Sequence, residues 1–263
     1  MSQLRNLKHL KTKKGRDESG LFIIEGEKFV QEIPADWHVQ QYVIAERYVK
    51  DAKTHDISQF EQRARCDVIR DSIFDSLADT VSPQGILAVC GQKKFCIDDI
   101  FGEIAGQARN DSGYFVLLGE NLNDPGNIGA LIRTAAAAGA NGVILTTSSG
   151  DIYNPKVLRA AAGAVLRLPI VTDADLTETI ALLNKKNIPT YAAHPRGSVL
   201  PYKLDLRSNF CMLVGNESHG ISDTAAKLAN TLVSLPMVNN TESLNASVAG
   251  SILMYEAVRQ RVE

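Results

Sequence analysis

The chain reads as an α/β protein whose larger part is built on a parallel sheet, with a smaller α/β domain ahead of it. Two patterns predict this. Apolar runs of strand length alternate with segments of helical periodicity along the 263 residues, and the alternation falls into two blocks separated by a stretch that lacks it. A composition that is 44% hydrophobic and 22% charged lets each block bury a core. No internal repeats or low-complexity tracts interrupt it.

In the first block, residues 1–92, Leu21 to Glu25 reads as a strand and Lys28 to Ile33 as a helix. Strands follow near Val39 to Ile44, Cys66 to Ile69 and Ile86 to Cys90, with a helix from Asp71 to Leu77. Residues 93–113 change character and read as a linker: polar, glycine-containing stretches flank one short amphipathic segment around Ile97 to Ile104. The second block, residues 114–263, gives strands at Tyr114 to Leu118, Gly142 to Thr146, Val165 to Val171, Thr190 to Ala193, Phe210 to Val214 and Leu232 to Leu235. Strict alternation of these strands with helices means a parallel sheet covered on both faces.

Composition also excludes function classes. The longest apolar stretches fall short of the ~20 residues that span a bilayer, and no apolar segment follows the basic N-terminus, so a cytoplasmic protein with no membrane association is expected. Cys66, Cys90, Cys96 and Cys211 are scattered without a CxxC pair, which favours buried free thiols over a zinc site or a disulfide framework, and no metal is expected. A net charge of −2 argues against indiscriminate coating of nucleic acid. Arg5, Lys8, Lys11, Lys13, Lys14 and Arg16 nevertheless precede the first acid, Asp17, and such an arm can neutralise backbone phosphates. A frayed, soluble terminus is the alternative reading of the same residues.

Three stretches of the second block gather polar and glycine positions where a strand gives way to a helix, the place where open α/β sheets bind ligands. The first is Asn121-Leu-Asn-Asp-Pro-Gly-Asn127-Ile-Gly129-Ala-Leu-Ile-Arg133. Ile128, Leu131, Ile132 and Ala135 mark its apolar helix face, and Arg133 lies off that face beside Gly129 and Ala137. A guanidinium there can fork onto a phosphate, or it can be a solvated helix arginine, with Asn127 as an N-cap. The spacing is not that of a dinucleotide-binding loop: GxGxxG is absent, and Asp151 precedes Asn154-Pro155, which reads as a helix cap and first turn.

The second stretch, Leu213-Val-Gly215-Asn216-Glu217-Ser-His-Gly220-Ile-Ser222, puts a glycine at a strand end and a carboxylate in the turn, where it binds a ligand's donors or anchors the loop. The third runs from Leu235-Pro236-Met237 to Ser243-Leu244-Asn245-Ala-Ser247. There Pro236 stops a strand and Ser243 opens a long helix with Leu244, Val248, Ile252 and Tyr255 on one face. His194 and His219 sit alone in loops and read as incidental.

The identities, order and spacing of these stretches resemble the three motifs of the SpoU (TrmH-like) branch of the SPOUT RNA methyltransferases. Gly26-Glu27-Lys28 and Ser82-Pro83-Gln84-Gly85 are similar to the ribosomal-protein-like substrate-binding domain that precedes the catalytic domain in many of its members. The resemblance implies a C-terminal trefoil knot, a homodimer formed through the catalytic domain, and S-adenosylmethionine held by Gly215, Leu235 and Leu244 with Met237 and Ser243 nearby. It implies methyl transfer to a ribose 2′-hydroxyl of structured RNA, ribosomal ahead of transfer RNA, with Arg133 as the catalytic group and Asn127, Glu217, Ser243 and Asn245 as its polar support. Because arginine holds its proton, Arg133 is expected to orient phosphate and stabilise charge. An RNA-binding or ribosome-assembly factor that keeps the fold without turnover is the alternative. The sequence departs from the family pattern where Asn239 stands in place of a glycine, and asparagine is the side chain that best tolerates a left-handed backbone there.

Overall fold

The computed structural model describes residues 7–50, 57–102, 113–239 and 241–262. In chain order its first elements are α1 (Lys13–Ser19), β1 (Leu21–Glu25), α2 (Glu27–Gln31), β2 (Val39–Ala45), α3 (Glu46–Lys50), α4 (Ser58–Glu61), β3 (Arg65–Ile69), α5 (Asp71–Leu77) and β4 (Ile86–Gly91). Then come α6 (Ile97–Phe101), β5 (Phe115–Gly119), α7 (Pro125–Ala137), β6 (Gly142–Thr146), α8 (Pro155–Ala161), β7 (Ile170–Ala174) and α9 (Leu176–Lys185). The chain closes with β8 (Thr190–Ala193), β9 (Phe210–Val214), α10 (Asp223–Leu228), β10 (Thr231–Val233) and α11 (Ala246–Val262). These form two units, residues up to 93 with 151–166, and residues 94–150 with 167 onward.

The first unit carries a four-stranded sheet in the order β1-β4-β2-β3, with β4 antiparallel to both its neighbours and β3 parallel to β2. Its two glycine turns meet: the Gln84 side-chain carbonyl accepts the Glu27 N–H at 2.8 Å, and Gly26 and Gly85 have φ of +105° and +96°, which only glycine takes at low cost. Helix α2 ends at Gln31, short of the expected Ile33, because Pro34 disfavours helical geometry in the residue before it. The unit recruits the segment between β6 and β7. Trp37 donates its indole N–H to the Leu166 carbonyl at 2.9 Å, and the rings of Phe22 and Tyr153 lie 4.4 Å apart. The sequence suggests a strand beginning at Val165; the structure instead has a 3₁₀ turn at Ala164–Leu166, and β7 begins at Ile170.

From Leu7 onward the described N-terminal segment is folded, where the alternative reading expected a frayed terminus. The Thr12 hydroxyl caps α1 by accepting the Gly15 N–H, and Gly20 closes it with φ +66°. Arg16 is only 2% exposed. Its Nε and Nη2 donate to one Asp151 carboxylate oxygen at 2.9 and 2.6 Å, and its Nη1 donates to the Leu10 carbonyl at 2.8 Å. Arg16 therefore leaves the set of RNA-facing cations. Lys11 donates to the carbonyls of Ser76 and Ala78, and Lys13 pairs with Asp17 at 2.7 Å. Lys8, Lys13 and Lys14 are exposed, Lys14 lying 3.8 Å from the Glu18 carboxylate, and Arg5 lies outside the described residues.

The second unit is a six-stranded, wholly parallel sheet ordered β10-β8-β9-β5-β6-β7. Strands β5, β6 and β9 are buried along their whole length, as parallel strands covered on both faces must be. Ile100 of α6 is fully buried in this unit's core and packs on Gly142, so the described start of the stretch read as a linker belongs to the second unit. Cys90 and Cys211 are buried, Cys66 is half-buried and Cys96 is exposed, which corrects the expectation of four buried thiols. Burial pushes the Cys66 thiol up to about 11 and the Cys90 thiol up to about 12.

Helix α11 buries Ser247, Gly250, Leu253, Met254 and Ala257. Gly250 lets it close on α7: a methyl there would stand 2.6 Å from Leu131 Cδ2. Val248, Ile252 and Tyr255, the face expected from the sequence, point instead to solvent at 46%, 45% and 53% exposure. Arg16→Ala should lower the unfolding stability of the first unit by about 3 kcal/mol, since it leaves Asp151 without its buried counter-charge. Urea unfolding followed by the fluorescence of Trp37 reads this directly.

Candidate active site

The three motif loops all leave the carboxyl ends of neighbouring strands. Motif one follows β5, motif two follows β9 and motif three follows β10, while the turn after β8 stands among them. The sheet order reverses at the β5/β9 pair, which is where open parallel sheets form a ligand crevice. A cleft of about 350 Å³, within the size range of small-molecule sites, opens beside it, walled by the turns after β8, β9 and β10 and by the start of α11. Gly215, Glu217, Leu235, Met237, Ser243 and Leu244 line it, so every position proposed for cofactor contact comes together in one place.

Asp124, not Asn127, caps α7: its carboxylate accepts the Asn127 N–H at 2.8 Å, and Pro125 takes the first helical position. That frees the Asn127 side chain, 8% exposed, for longer reach. Its Nδ2 donates to Glu217 Oε1 at 3.2 Å, and its Oδ1 accepts from Asn245 Nδ2 at 2.9 Å. Asn245 Oδ1 in turn accepts the backbone N–H groups of Ser247 and Val248 and the Ser247 hydroxyl. Asn245 is thus the cap of α11, and the helix starts later than Ser243. The relay Glu217–Asn127–Asn245 ties one residue from each motif to the next.

Glu217 accepts two further hydrogen bonds, from the N–H groups of Asn123 at 3.3 Å and Asp124 at 3.1 Å. Its carboxylate sits at the positive end of α7, where the helix dipole favours an anion. Of the two roles open to this acid in the sequence, the contacts fit the anchor. Asn216 pins the same loop from the other side, donating to the Asn121 carbonyl at 2.8 Å, while Asn121 takes φ +55° and donates its N–H to Thr146 Oγ1. Gly215 is required by close backbone packing: a methyl there would lie 2.3 Å from the carbonyl carbon of Gly220. The glycine thus meets its own chain as well as the cleft.

Sequence reasoning missed Glu120. It is 8% exposed, sits immediately after β5, and accepts the Ser222 N–H at 2.9 Å, holding the far end of motif two where Ser222 caps α10. An acid at a strand end carries no distinguishing pattern. Asn239 takes φ +58°, the left-handed geometry in which asparagine substitutes for glycine. Arg133 is exposed on α7 and, among the described residues, has neither a hydrogen-bond nor an ion-pair partner. It does not line the cleft, and neither do Asn127 and Asn245. Ser243 lines it and is exposed. His194 and His219 line it too, each engaged in local turn contacts. Among the described residues no group of His, Cys, Asp and Glu is arranged to hold a metal ion, and no helix is long and apolar enough to cross a membrane.

Glu217→Ala removes the acceptor for all three donors and should cost about 2 kcal/mol of stability, with cofactor affinity falling in parallel as the loops loosen. Glu217→Gln keeps one acceptor and should recover part of both. Thermal unfolding and titration calorimetry on the pair of variants check this.

Comparisons with known proteins agree with the geometry. Residues 114–255 match the SpoU rRNA Methylase family, and residues 2–88 match the MRM3-like substrate binding domain. The chain is 30% identical over 253 residues to the 23S rRNA (guanosine(2553)-2'-O)-methyltransferase RlmP of Bacillus subtilis, covering 96% of this chain and 94% of that one. It is 30% identical over 230 residues to the 23S rRNA (guanosine-2'-O-)-methyltransferase RlmB of Xylella fastidiosa, covering 85% and 90% of the two chains. The AdoMet-bound rRNA methyltransferase from Sinorhizobium meliloti superposes with a TM-score of 0.81 at 27% identity, covering 97% of this chain and 94% of that one. The AdoMet complex of AviRb from Streptomyces viridochromogenes shares the fold, with a TM-score of 0.85 at 24% identity over 100% and 99% of the chains. With its motifs assembled at the strand ends and more than half its length matched by the family, the chain belongs to the SpoU rRNA methylase family.

Proposed function

We propose that this protein transfers a methyl group from S-adenosylmethionine to a ribose 2′-hydroxyl of ribosomal RNA. The observation that carries the reading is the single cleft shared by the loops after β9 and β10, with Gly215, Leu235, Met237, Ser243 and Leu244 on its walls. The residues fit the cofactor. Leu235, Leu244, Ile221 and Leu253 supply apolar wall, and the backbone of two loops at parallel strand ends offers amides and carbonyls for a base edge. When bound, S-adenosylmethionine supplies an activated methyl on a sulfonium.

Arg133 lies exposed and unpaired among the described residues, on the helix that motif one opens, which suits a group that meets RNA rather than the cofactor. Its guanidinium orients a phosphate and stabilises the charge that grows on the ribose oxygen, while the hydroxyl proton leaves to water or to the phosphate. Asn127, Glu217 and Asn245 act through the loops they hold, and Ser243 faces the cleft directly. On the RNA side, Lys8, Lys13 and Lys14 are exposed cations of the N-terminal segment, the last two in i,i+4 pairs with Asp17 and Glu18, and the substrate-binding domain match covers that segment. A purely RNA-binding role without turnover would need neither the cofactor cleft nor the unpaired arginine.

The same family reading carries the trefoil knot and a homodimer, and a cytoplasmic location goes with it. For the dimer, Ile252 and Tyr255 of α11 lie in one groove with Tyr202, which is 60% exposed, and with Val248 offer exposed apolar side chains to a partner helix. A C2 contact through that helix is self-complementary.

Arg133→Ala should leave calorimetric affinity for S-adenosylmethionine unchanged while lowering labelled-methyl incorporation into ribosomal RNA by at least about 100-fold. A fully active variant would place the catalytic group elsewhere, and absence of cofactor binding by the natural protein would return the reading to an RNA-binding factor. Ile252→Asp should convert the dimer to monomer in analytical ultracentrifugation without lowering the thermal midpoint of the monomer's own fold.

A further inference from the structure

The turn after β8 is not used by the reading above, yet it enters the same cleft. Ala193, His194, Pro195 and Arg196 all line it, and Arg196 is the single lysine or arginine among the described residues that do so. Among the described residues its guanidinium has no hydrogen-bond or ion-pair partner, and neither does the carboxylate of Glu242 on the cleft wall. A small-molecule cleft that holds one unpaired cation and one unpaired anion is complementary to a zwitterion.

The backbone that carries Arg196 is held in place. His194 donates its N–H to the Val233 carbonyl at 2.9 Å, and the Gly197 N–H closes the turn onto the His194 carbonyl at 3.0 Å. The Arg196 N–H donates to His194 Nδ1 at 3.1 Å, which assigns that ring nitrogen as an acceptor. Ser234 donates its hydroxyl to the Gly197 carbonyl at 2.9 Å. Gly197 is pressed so closely on β10 that a methyl would stand 2.6 Å from the Val233 carbonyl carbon. A turn fixed at four points presents its exposed side chain from a constant origin, which reduces the entropy lost when that side chain binds.

We propose that Arg196 binds the α-carboxylate of the cofactor's methionine moiety and so selects ligands that carry the amino acid over adenosine thioethers that lack it. This rests on the cofactor reading above. Guanidinium and carboxylate match as a two-point fork, and Glu242 complements the α-ammonium of the same zwitterion. A phosphate of the RNA is the competing anion. The cleft favours the carboxylate, because Arg196 shares its walls with Leu235, Met237 and Leu244.

The test is titration calorimetry of the full chain with S-adenosylhomocysteine and, separately, with methylthioadenosine, which shares the nucleoside but has no amino acid group. For the natural protein the first should bind more tightly. Arg196→Gln should weaken S-adenosylhomocysteine by about tenfold, between the value of an exposed ion pair and that of a desolvated charge-assisted hydrogen bond, and leave methylthioadenosine unchanged. Arg196→Lys should recover part of the loss. Equal weakening of both ligands, or no change in either, overturns the proposal. Loss of RNA affinity alone assigns the guanidinium to a phosphate and overturns it too. If the natural protein binds neither compound, the cofactor reading itself fails and takes this proposal with it.

Discussion

The side-chain relay from Glu217 through Asn127 to Asn245 is the constraint on which the site depends. Each motif loop alone is a short irregular segment at a strand end, where backbone groups lack ladder partners and mobility is the default. The relay satisfies these groups mutually. Glu217 takes the N–H groups of Asn123 and Asp124, Asn127 bridges to Asn245, and Asn245 caps the helix that the third motif opens. Because Asn127 and Asn245 each use an acceptor and a donor, aspartate at either position would remove a donor from the relay, and at Asn127 it would also put an unmatched charge beside Glu217. The amides are therefore specified by hydrogen-bond polarity as well as by shape. The consequence is a cleft whose walls come from separate parts of the chain and are tied to one another behind it.

A second constraint works in the first unit. The segment between β6 and β7 interrupts the parallel sheet's sequence to pack with β1 and α1, and three kinds of contact hold it there. The Arg16–Asp151 ion pair is buried, the Trp37 indole satisfies the Leu166 carbonyl, and Tyr153 both donates to the Lys93 carbonyl and accepts its N–H. Desolvating Arg16 and Asp151 costs more than a single bond returns, so the pair is tolerated only because the guanidinium also reaches the Leu10 carbonyl and the Asp151 carboxylate also takes the Tyr153 N–H. That arrangement specifies position. It explains why a cation in a run of cations is the least accessible of them.

The contrast between what was legible and what was not follows the range of the interactions. Strands at Gly142–Thr146, Thr190–Ala193 and Phe210–Val214 appear in the structure with the bounds read from the sequence, and the first and last do so because a parallel strand buried on both faces is a largely continuous apolar run. The gathering of Gly215, Leu235 and Leu244 was legible through family motifs, since the spacing of strand-end glycine, proline and polar residues repeats in them. Asp151, Leu166 and Glu120 were not. Their partners lie 135, 129 and 102 residues away, and no local period reports a contact at that distance. The burial of Arg16 escaped for a related reason: periodicity and charge describe Lys8 and Arg16 alike, and only the tertiary position of Asp151 separates an exposed cation from a buried one.

Helix α11 shows how one pattern can be read correctly and assigned to the wrong side. Val248, Ile252 and Tyr255 do form one face, and the usual inference sends such a face inward. The inward stripe is instead Ser247, Gly250 and Ala257 with Leu253 and Met254, because close approach to α7 needs small residues: Thr134 and Ser251 meet through their hydroxyls at 3.0 Å, and no side chain fits at Gly250. A helix that spends its small residues on its own core keeps its larger apolar residues for the outside. The cap at Asn245, the close seam with α7 and the outward apolar face then belong to one helix, so any partner seated on that face bears on the element whose first turn holds the relay.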